Sequence, residues 1–168
     1  MKIYLIRHSN AVDPGTPGYE DDSLRPLTEK GRDKMKKIAA ALKGLDVKPD
    51  LIVSSPYIRA KQTAEVLAKV LKFKQGLVFS DTLVPMGKPD DIIGEINEKY
   101  TVGELVLVGH EPCFSSLVGT LIAGNPDLTM TMTMKNGGVC CLASDDLHTE
   151  RKATLEWFLT PKIMGELA

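Results

Sequence analysis

Two histidines and two arginines stand just beyond runs of strand-forming residues. Arg7-His8 follows Ile3-Tyr4-Leu5-Ile6, and Gly109-His110-Glu111 follows Leu105-Val106-Leu107-Val108. Ser54-Ser55 follows Leu51-Ile52-Val53, with Arg59 about one helical turn further on. In open α/β sheets, ligands bind beyond the carboxyl ends of the strands. Groups far apart in the chain can therefore meet there. The chemistry they suggest is phosphoryl transfer. Two guanidiniums can hold phosphoryl oxygens through paired hydrogen bonds and stabilise charge in the transition state. A neutral histidine nitrogen can attack phosphorus and carry the group. The second histidine can donate to an equatorial oxygen. Helix starts near Pro56 and Pro112 would add backbone donors and positive dipole ends. The chain has no Walker loop, so nucleotide hydrolysis of that type has no support.

The elements that must position these groups follow from periodicity. Lys2–Ile6 reads as a short buried strand. Asp13–Pro26 is rich in Asp, Gly and Pro and reads as a long surface loop, of a length that tends to be functional. Thr28 is placed to cap a helix with Met35, Ile38, Ala39, Leu42 and Leu45 inward and Lys34, Lys36, Lys37 and Lys43 on the wet side. The pattern continues with a strand at Asp50–Ser54, a helix at Tyr57–Leu71 and a short strand at Leu77–Phe79. After a loop at Pro85–Pro89 come a helix at Asp90–Glu98, a strand at Glu104–Val108 and a helix at Cys113–Ile122. Gly138–Ala143 and Ala153–Leu159 read as strands, separated by the polar stretch Ser144–Lys152 and paired as a hairpin. Strands alternating with helices predict an α/β fold. The expected architecture is a three-layer α/β/α sandwich with a mainly parallel central sheet and a C-terminal antiparallel hairpin. No linker or internal repeat divides the chain, so residues 1–168 are expected to form one domain.

Composition narrows the partners. With 168 residues, 43% apolar and 26% charged, the chain is globular rather than disordered. Its formal charge of -1 gives no long-range attraction to nucleic acid or acidic membranes. No apolar stretch approaches a bilayer span, and the N-terminus lacks a signal-peptide core. A soluble cytoplasmic protein, with no nucleic-acid or membrane partner, is the expectation. Cys113, Cys140 and Cys141 read as small space-filling thiols, with Cys140 and Cys141 on opposite faces of a strand, one in the core and one exposed. Their spacing offers no structural zinc site. The Met130–Met134 alternation reads as an edge strand or an irregular approach to Gly137-Gly138, with methionine as packing material. No metal or cofactor is expected.

Four segments carry a family resemblance. Leu5-Ile6-Arg7-His8-Ser9 resembles the N-terminal motif of the histidine phosphatase (phosphoglycerate mutase-like) superfamily. Arg25-Pro26-Leu27-Thr28-Glu29-Lys30-Gly31 resembles its R-x-L-T-x-x-G segment. Ser54 to Ala64, read Ser-Ser-Pro-Tyr-Ile-Arg-Ala-Lys-Gln-Thr-Ala, is similar to its second-arginine motif. Val108-Gly109-His110-Glu111-Pro112 is similar to its later histidine motif. The short length and the tail around Glu156-Trp157 and Pro161 look most like the small bacterial SixA-type phosphohistidine phosphatase branch. The resemblance implies a metal-independent phosphatase with His8 as nucleophile and Arg7, Arg59 and His110 completing the phosphate pocket. Ser9 stands where the family pattern has Gly. Either its backbone is strained there, or its hydroxyl donates to the ligand.

The proton donor is less defined. Glu111 and Asp81 are the leading candidates, with the loop acids Asp13, Asp21 and Asp22 behind them. Arg25 either steers phosphate at the mouth or pairs with Asp21 or Asp22, and Glu111 also stands next to the pocket as a substrate contact. A phosphohistidine substrate eases the need for an acid, because an imidazole with a pKa near 6.5 leaves readily near neutral pH. The expected function is removal of a phosphoryl group from a protein histidine through a phosphohistidine enzyme intermediate. A histidine phosphotransfer domain is one such partner. The alternatives are a phosphatase of small phosphate esters and a non-catalytic phosphate- or phosphoprotein-binding domain. His148, Lys34-Lys36-Lys37 and Trp157 read as solvated surface, solvated helix face and strand packing respectively.

Overall fold

A strand that is apolar on both faces needs cover on both sides, and Ile3, Tyr4, Leu5 and Ile6 have it. They belong to β1 (Lys2–Arg7) of a computed structural model that describes residues 1–123, 132–145, 147 and 153–168. The other elements are α1 (Glu29–Gly44), β2 (Leu51–Ser54), α2 (Ile58–Leu71), β3 (Val78–Phe79), α3 (Pro89–Lys99), β4 (Glu104–Gly109), α4 (Cys113–Ala123), β5 (Val139–Ala143), β6 (Thr154–Leu159) and α5 (Pro161–Glu166). The sheet order is β3-β2-β4-β1-β5-β6. Strands β1 to β4 pair in parallel, whereas β5 runs antiparallel to both β1 and β6. This is the three-layer α/β/α sandwich with its C-terminal hairpin.

The alternation of side chains sorts the two cores. Ile3, Leu5, Leu105, Leu107, Cys140 and Leu142 face α3 and α4, against Ile92, Phe114 and Leu117. Tyr4, Ile6, Val106, Val108, Val139 and Cys141 face α1, α2 and α5, against Met35, Ile38, Leu67 and Met164. Each fully buried Leu or Ile stabilises by about 1.5–3 kcal/mol, so the two packed faces outweigh strand propensity in holding β1. Cys140 and Cys141 do point to opposite faces, but both are buried, because helices cover both faces of the sheet. The expected exposed thiol is thus absent, and all three cysteines are free and buried.

Helix α1 starts where its cap requires. The Thr28 hydroxyl accepts the Gly31 N–H at 3.0 Å. Met35, Ile38, Ala39 and Leu42 are buried, but Leu45 is exposed, because the helix ends at Gly44. Helix α5 was not expected from periodicity. It is six residues long and buries Met164 alone, too short to show an apolar stripe. Residues 132–138 are irregular, with Met134 buried, rather than an edge strand; Met130, Thr131 and His148 lie outside the described residues. Trp157 is half-buried, its ring centroid 5.9 Å from that of Tyr4.

What positions the site is the end of β1. The His8 N–H donates to the Gly109 carbonyl at 3.0 Å and the Arg7 N–H to the Gly138 carbonyl at 3.1 Å. The Gly137 N–H reaches the carbonyls of Arg7 and His8 at 3.1 and 3.2 Å. The backbone of Arg7-His8 is therefore held from both neighbouring strands. Beyond it, an Ala11–Leu27 bridge and the bond from the Val12 N–H to the Pro26 carbonyl, 2.9 Å, pin together the ends of the loop 13–26.

Gly31 is a contact of this framework rather than a turn. A Cβ there would lie 2.0 Å from the backbone oxygen of Asn10. Gly31→Ala is expected to cost about 3 kcal/mol, the scale of overpacking a tight contact. Denaturant unfolding measures it, and an unchanged midpoint would show that the Asn10 segment yields.

Candidate active site

Three strand ends and one helix bring the four expected residues together. His8 leaves β1, His110 leaves β4, and Arg59 lies in the first turn of α2, beyond β2. The ring centroids of His8 and His110 are 4.9 Å apart, and Arg59 Nε donates to His8 Nε2 at 3.3 Å. His8, Arg59 and His110 are all buried.

The tautomer of His8 follows from its neighbours. Nδ1 lies 2.7 Å from the Ser9 carbonyl, an acceptor only, so Nδ1 carries the proton and donates it there. Nε2 keeps its lone pair, and Arg59 Nε–H points at it. Burial pushes the His8 pKa down to about 3; the Ser9 hydrogen bond opposes this, and the charges of Arg59, Arg7 and Arg25 add to it. His110 is pushed down to about 2, first by burial and then by His8 and Arg59. Both rings are neutral near pH 7. His110 Nε2 lies 3.0 Å from Ser55 Oγ, while Nδ1 is buried with no partner. If the Ser55 hydroxyl donates to Nε2, the His110 proton sits on Nδ1, ready for an incoming oxygen.

The arginines are anchored by backbone and by acid. Arg7 Nη1 donates to the Met134 carbonyl at 2.6 Å, and Arg7 Nε is buried without a partner. Burial lowers the Arg7 pKa, and the nearby Glu111 charge opposes it. Arg59 Nη1 and Nη2 donate to the backbone carbonyl and Oδ2 of Asp22 at 2.6 and 2.8 Å. The ring of Tyr57 lies 5.0 Å from the Arg59 guanidinium and 5.2 Å from the His110 ring, and forms a wall beside both.

Several expected contacts fall elsewhere. Ser9 shows no positive φ, and its hydroxyl donates to the Gly31 carbonyl at 2.8 Å rather than towards a ligand. Its N–H donates to Thr63 Oγ1 at 3.1 Å. Both the hydroxyl and the N–H of Ser9 are thus engaged within the protein, beside His8. Arg25 pairs with Asp22, through Nε at 2.7 Å and Nη2 at 2.6 Å, and its Nη1 donates to the Val12 carbonyl. Asp21 instead caps the 3-10 turn Asp22–Leu24 through Ser23. Glu111 accepts from Ser115 Oγ at 2.5 Å, and its other oxygen is buried without a partner. Asp81 is exposed at the start of a second 3-10 turn, and no hydrogen bond or ion pair joins its carboxylate to the four pocket residues. Lys34 leaves the lysine face of α1: its Nζ donates to Asn10 Oδ1 at 2.9 Å, whereas Lys36 pairs with Asp33.

The residues that sequence reasoning left without a task are Tyr57, Gln62 and Thr63. Thr63 Oγ1 donates to the Arg59 carbonyl at 2.7 Å while accepting from Ser9. Gln62 Oε1 accepts the Leu27 N–H at 2.8 Å. Both lie one helical turn past the second arginine, and that spacing is the signal that tied them to its placement. Asp22 reads from the sequence as a loop acid and as a partner for Arg25; its hold on Arg59 is what the sequence does not mark. Burial alone would raise its pKa, but hydrogen bonds from Arg25 and Arg59 and their charges outweigh that and hold it below the ordinary carboxylate value. Among the described residues, no group of three or more His, Cys, Asp or Glu is placed to hold a metal ion.

Comparison with known proteins matches the chain to one family. The model of the histidine phosphatase superfamily, branch 1, matches residues 3–83. An uncharacterised protein of Picosynechococcus is 31% identical over 161 residues, covering 95% of this chain and 94% of its own. The phosphohistidine phosphatase SixA of Escherichia coli is 26% identical over 163 residues, covering 96% and 94%. The solved structure of the protein histidine phosphatase SixA complexed with tungstate superposes with a TM-score of 0.82 at 25% identity, over 98% of this chain and 99% of that one. These matches place the chain in the histidine phosphatase superfamily, and it is a phosphatase.

Proposed function

We propose that the protein is a phosphohistidine phosphatase that removes a phosphoryl group from a protein histidine, with His8 as nucleophile. One observation carries this reading. The His8 Nδ1–H is tied to the Ser9 carbonyl, which leaves a neutral Nε2 lone pair between guanidiniums. In the first step that lone pair forms a bond to phosphorus. The phosphorus–nitrogen bond of the substrate breaks, and its electron pair stays on the departing imidazole. In the second step a water oxygen bonds to phosphorus, the bond to Nε2 breaks, and its pair returns to His8. Both water protons stay on oxygens of the released group, which leaves as dihydrogen phosphate while His8 returns to its neutral form. Arg7, Arg59 and the His110 Nδ1–H hold the equatorial oxygens in both steps.

The leaving group supports a nitrogen–phosphorus substrate. An imidazole whose second nitrogen is already protonated leaves as a neutral molecule, whereas an alkoxide needs a placed acid. No hydrogen bond or ion pair ties Asp81 to His8, Arg59 or His110, Glu111 accepts a hydrogen bond from Ser115, and Asp22 is ionised against two arginines. The likeness to a phosphohistidine phosphatase and to a tungstate-bound relative, tungstate being a tetrahedral oxyanion, points the same way. The partner in this reading is a phosphohistidine-bearing protein such as a histidine phosphotransfer domain. Three free, buried thiols suit a reducing compartment, and we take the protein to be cytoplasmic.

The test is phosphate release from a phosphohistidine protein beside a panel of small phosphate esters. Release from phosphohistidine should dominate, with transient phosphate on His8, and His8→Ala should lower the rate by at least about 10³-fold. Faster turnover of an ester would transfer the function to small molecules, and no phosphoenzyme at all would remove the covalent route. Arg59→Lys, which loses the planar pair of donors, should lower kcat by about 10²–10³-fold, the scale of one transition-state donor.

The neutrality of both rings has its own readout. In the unliganded protein, proton NMR should show His8 and His110 without a titration step near pH 6.5. Their folded pKa values are depressed, so the unfolded chain binds more protons between the two values. The stability is full above pH 6.5 and falls as pH drops towards about 3. At pH 5 each ring should already have cost about 2 kcal/mol. Equal denaturation midpoints at pH 7 and pH 5 would show the rings to be solvated.

A further inference from the structure

His8 is 7% exposed, Arg59 3% and His110 1%. Little of this cluster is open to solvent. The group that holds the Arg59 guanidinium is itself an anion. Asp22 Oδ2 accepts from Arg59 Nη2 at 2.8 Å, and its backbone carbonyl accepts from Nη1 at 2.6 Å. Since Nε points at His8, every nitrogen of the Arg59 guanidinium already has a partner. From this geometry we infer that Asp22 is a specificity-determining residue: a tethered carboxylate that holds Arg59 until a phosphoryl dianion displaces it. This rests on the reading of His8 and Arg59 as the phosphoryl pocket.

Three features make the exchange physically reasonable. The first is where Asp22 can go. Its Oδ1 is bonded to Arg25 Nε and Nη2 at 2.7 and 2.6 Å, and Arg25 is anchored to the Val12 carbonyl. When Oδ2 leaves Arg59, Oδ1 keeps a cation, so the carboxylate is never left unpaired. The second is the low cost of moving the segment. The 3-10 turn Asp22–Leu24 contains no buried residue, and Leu24 is 53% exposed. Displacing it removes little apolar contact, while the Ala11–Leu27 bridge holds the base of the loop. The third is charge. A phosphoryl dianion brings about two negative charges and three acceptor oxygens to the arginines, against one charge from Asp22. A monoanionic carboxylate ligand brings no advantage over the residue already there, so Asp22 rejects carboxylates and admits phosphoryl groups.

The consequence is a deliberate loss of affinity. Apparent binding is weakened by the fraction of molecules in which Arg59 is free. Removing the carboxylate should therefore tighten anion binding, the reverse of what loss of an ordinary pocket residue does. The experiment is calorimetric titration of orthovanadate and inorganic phosphate into the full chain and its Asp22→Asn and Asp22→Ala variants, with acetate as competitor. Both variants should bind phosphate and vanadate about tenfold more tightly, and acetate should compete in the variants but not in the parent. Unfolding midpoints identify any variant that has lost its fold, and the second substitution then decides. Unchanged or weaker binding in folded variants would overturn the inference and make Asp22 a support for Arg59. Failure of parent and variants alike to bind either oxyanion would instead overturn the phosphoryl pocket beneath it.

Discussion

An imidazole can act as a nucleophile only while it is neutral, and as the proposed nucleophile His8 must stay neutral beside guanidinium groups that are always charged. Burial achieves this. A charged ring in that position would have to be desolvated next to Arg59 and Arg7, and its pKa falls accordingly to about 3. The hydrogen bond to the Ser9 carbonyl works in the opposite direction on the pKa. Its contribution is orientation, because it fixes which nitrogen carries the proton and so which one faces phosphorus. In the proposed reaction, the arginines that hold the phosphoryl oxygens thus also keep the nucleophile in its reactive form. Their charge serves both ends of one reaction.

That arrangement depends on the centre of the sheet. Strand β1 lies between β4, which delivers Gly109 and His110, and β5, which is entered through Gly137 and Gly138. Backbone hydrogen bonds from both sides leave the Arg7-His8 peptide little freedom. A Cβ on Gly109 would come within 2.7 Å of the Phe114 ring, so the close approach of β4 and α4 itself requires glycine. From the other side, Thr63 joins Arg59 to Ser9, and Gly31 accepts the Ser9 hydroxyl. The helices thereby fix the placement of the side chains while the strands fix their backbone. Such layering of supports is how a site achieves the sub-ångström placement that phosphoryl transfer needs.

The sandwich was legible in the sequence because its strands are apolar on both faces and its helices carry clear stripes. Met35, Ile38 and Leu42, or Ile92, Ile93 and Ile96, are examples. The four pocket residues were legible because each follows such a strand. Other features depend on long-range contact that no local pattern reports. Cys140 and Cys141 alternate as expected, but the burial of both follows from helices on either side of the sheet. The glycine-to-serine departure at Ser9 raised a question of strain that only the position of the Gly31 carbonyl, 22 residues away, could answer. Asp22 was one of several acids in a loop, and the choice of Asp22 over Asp21 for the arginines depends on a 3-10 turn. Glycine- and acid-rich loops carry no periodicity from which such a turn could be read.

Charge also bears on which phosphoryl donors suit this pocket. Arg7, Arg25 and Arg59 surround the histidines, and Asp22, the carboxylate bonded to this cluster, is held in its ionised form by the same guanidiniums. A positive environment stabilises the phosphoryl oxygens and any anion that leaves. It also opposes protonation of a nearby acid, since a carboxylic acid beside cations gives up its proton more easily. The pocket is therefore strong in charge stabilisation and weak in proton donation. Substrates that bring their own proton on the leaving group gain most from such a balance. A phosphoimidazole does so near neutral pH and an alkyl phosphate does not, so in the proposed reaction the electrostatics that keep His8 neutral also favour nitrogen–phosphorus bonds.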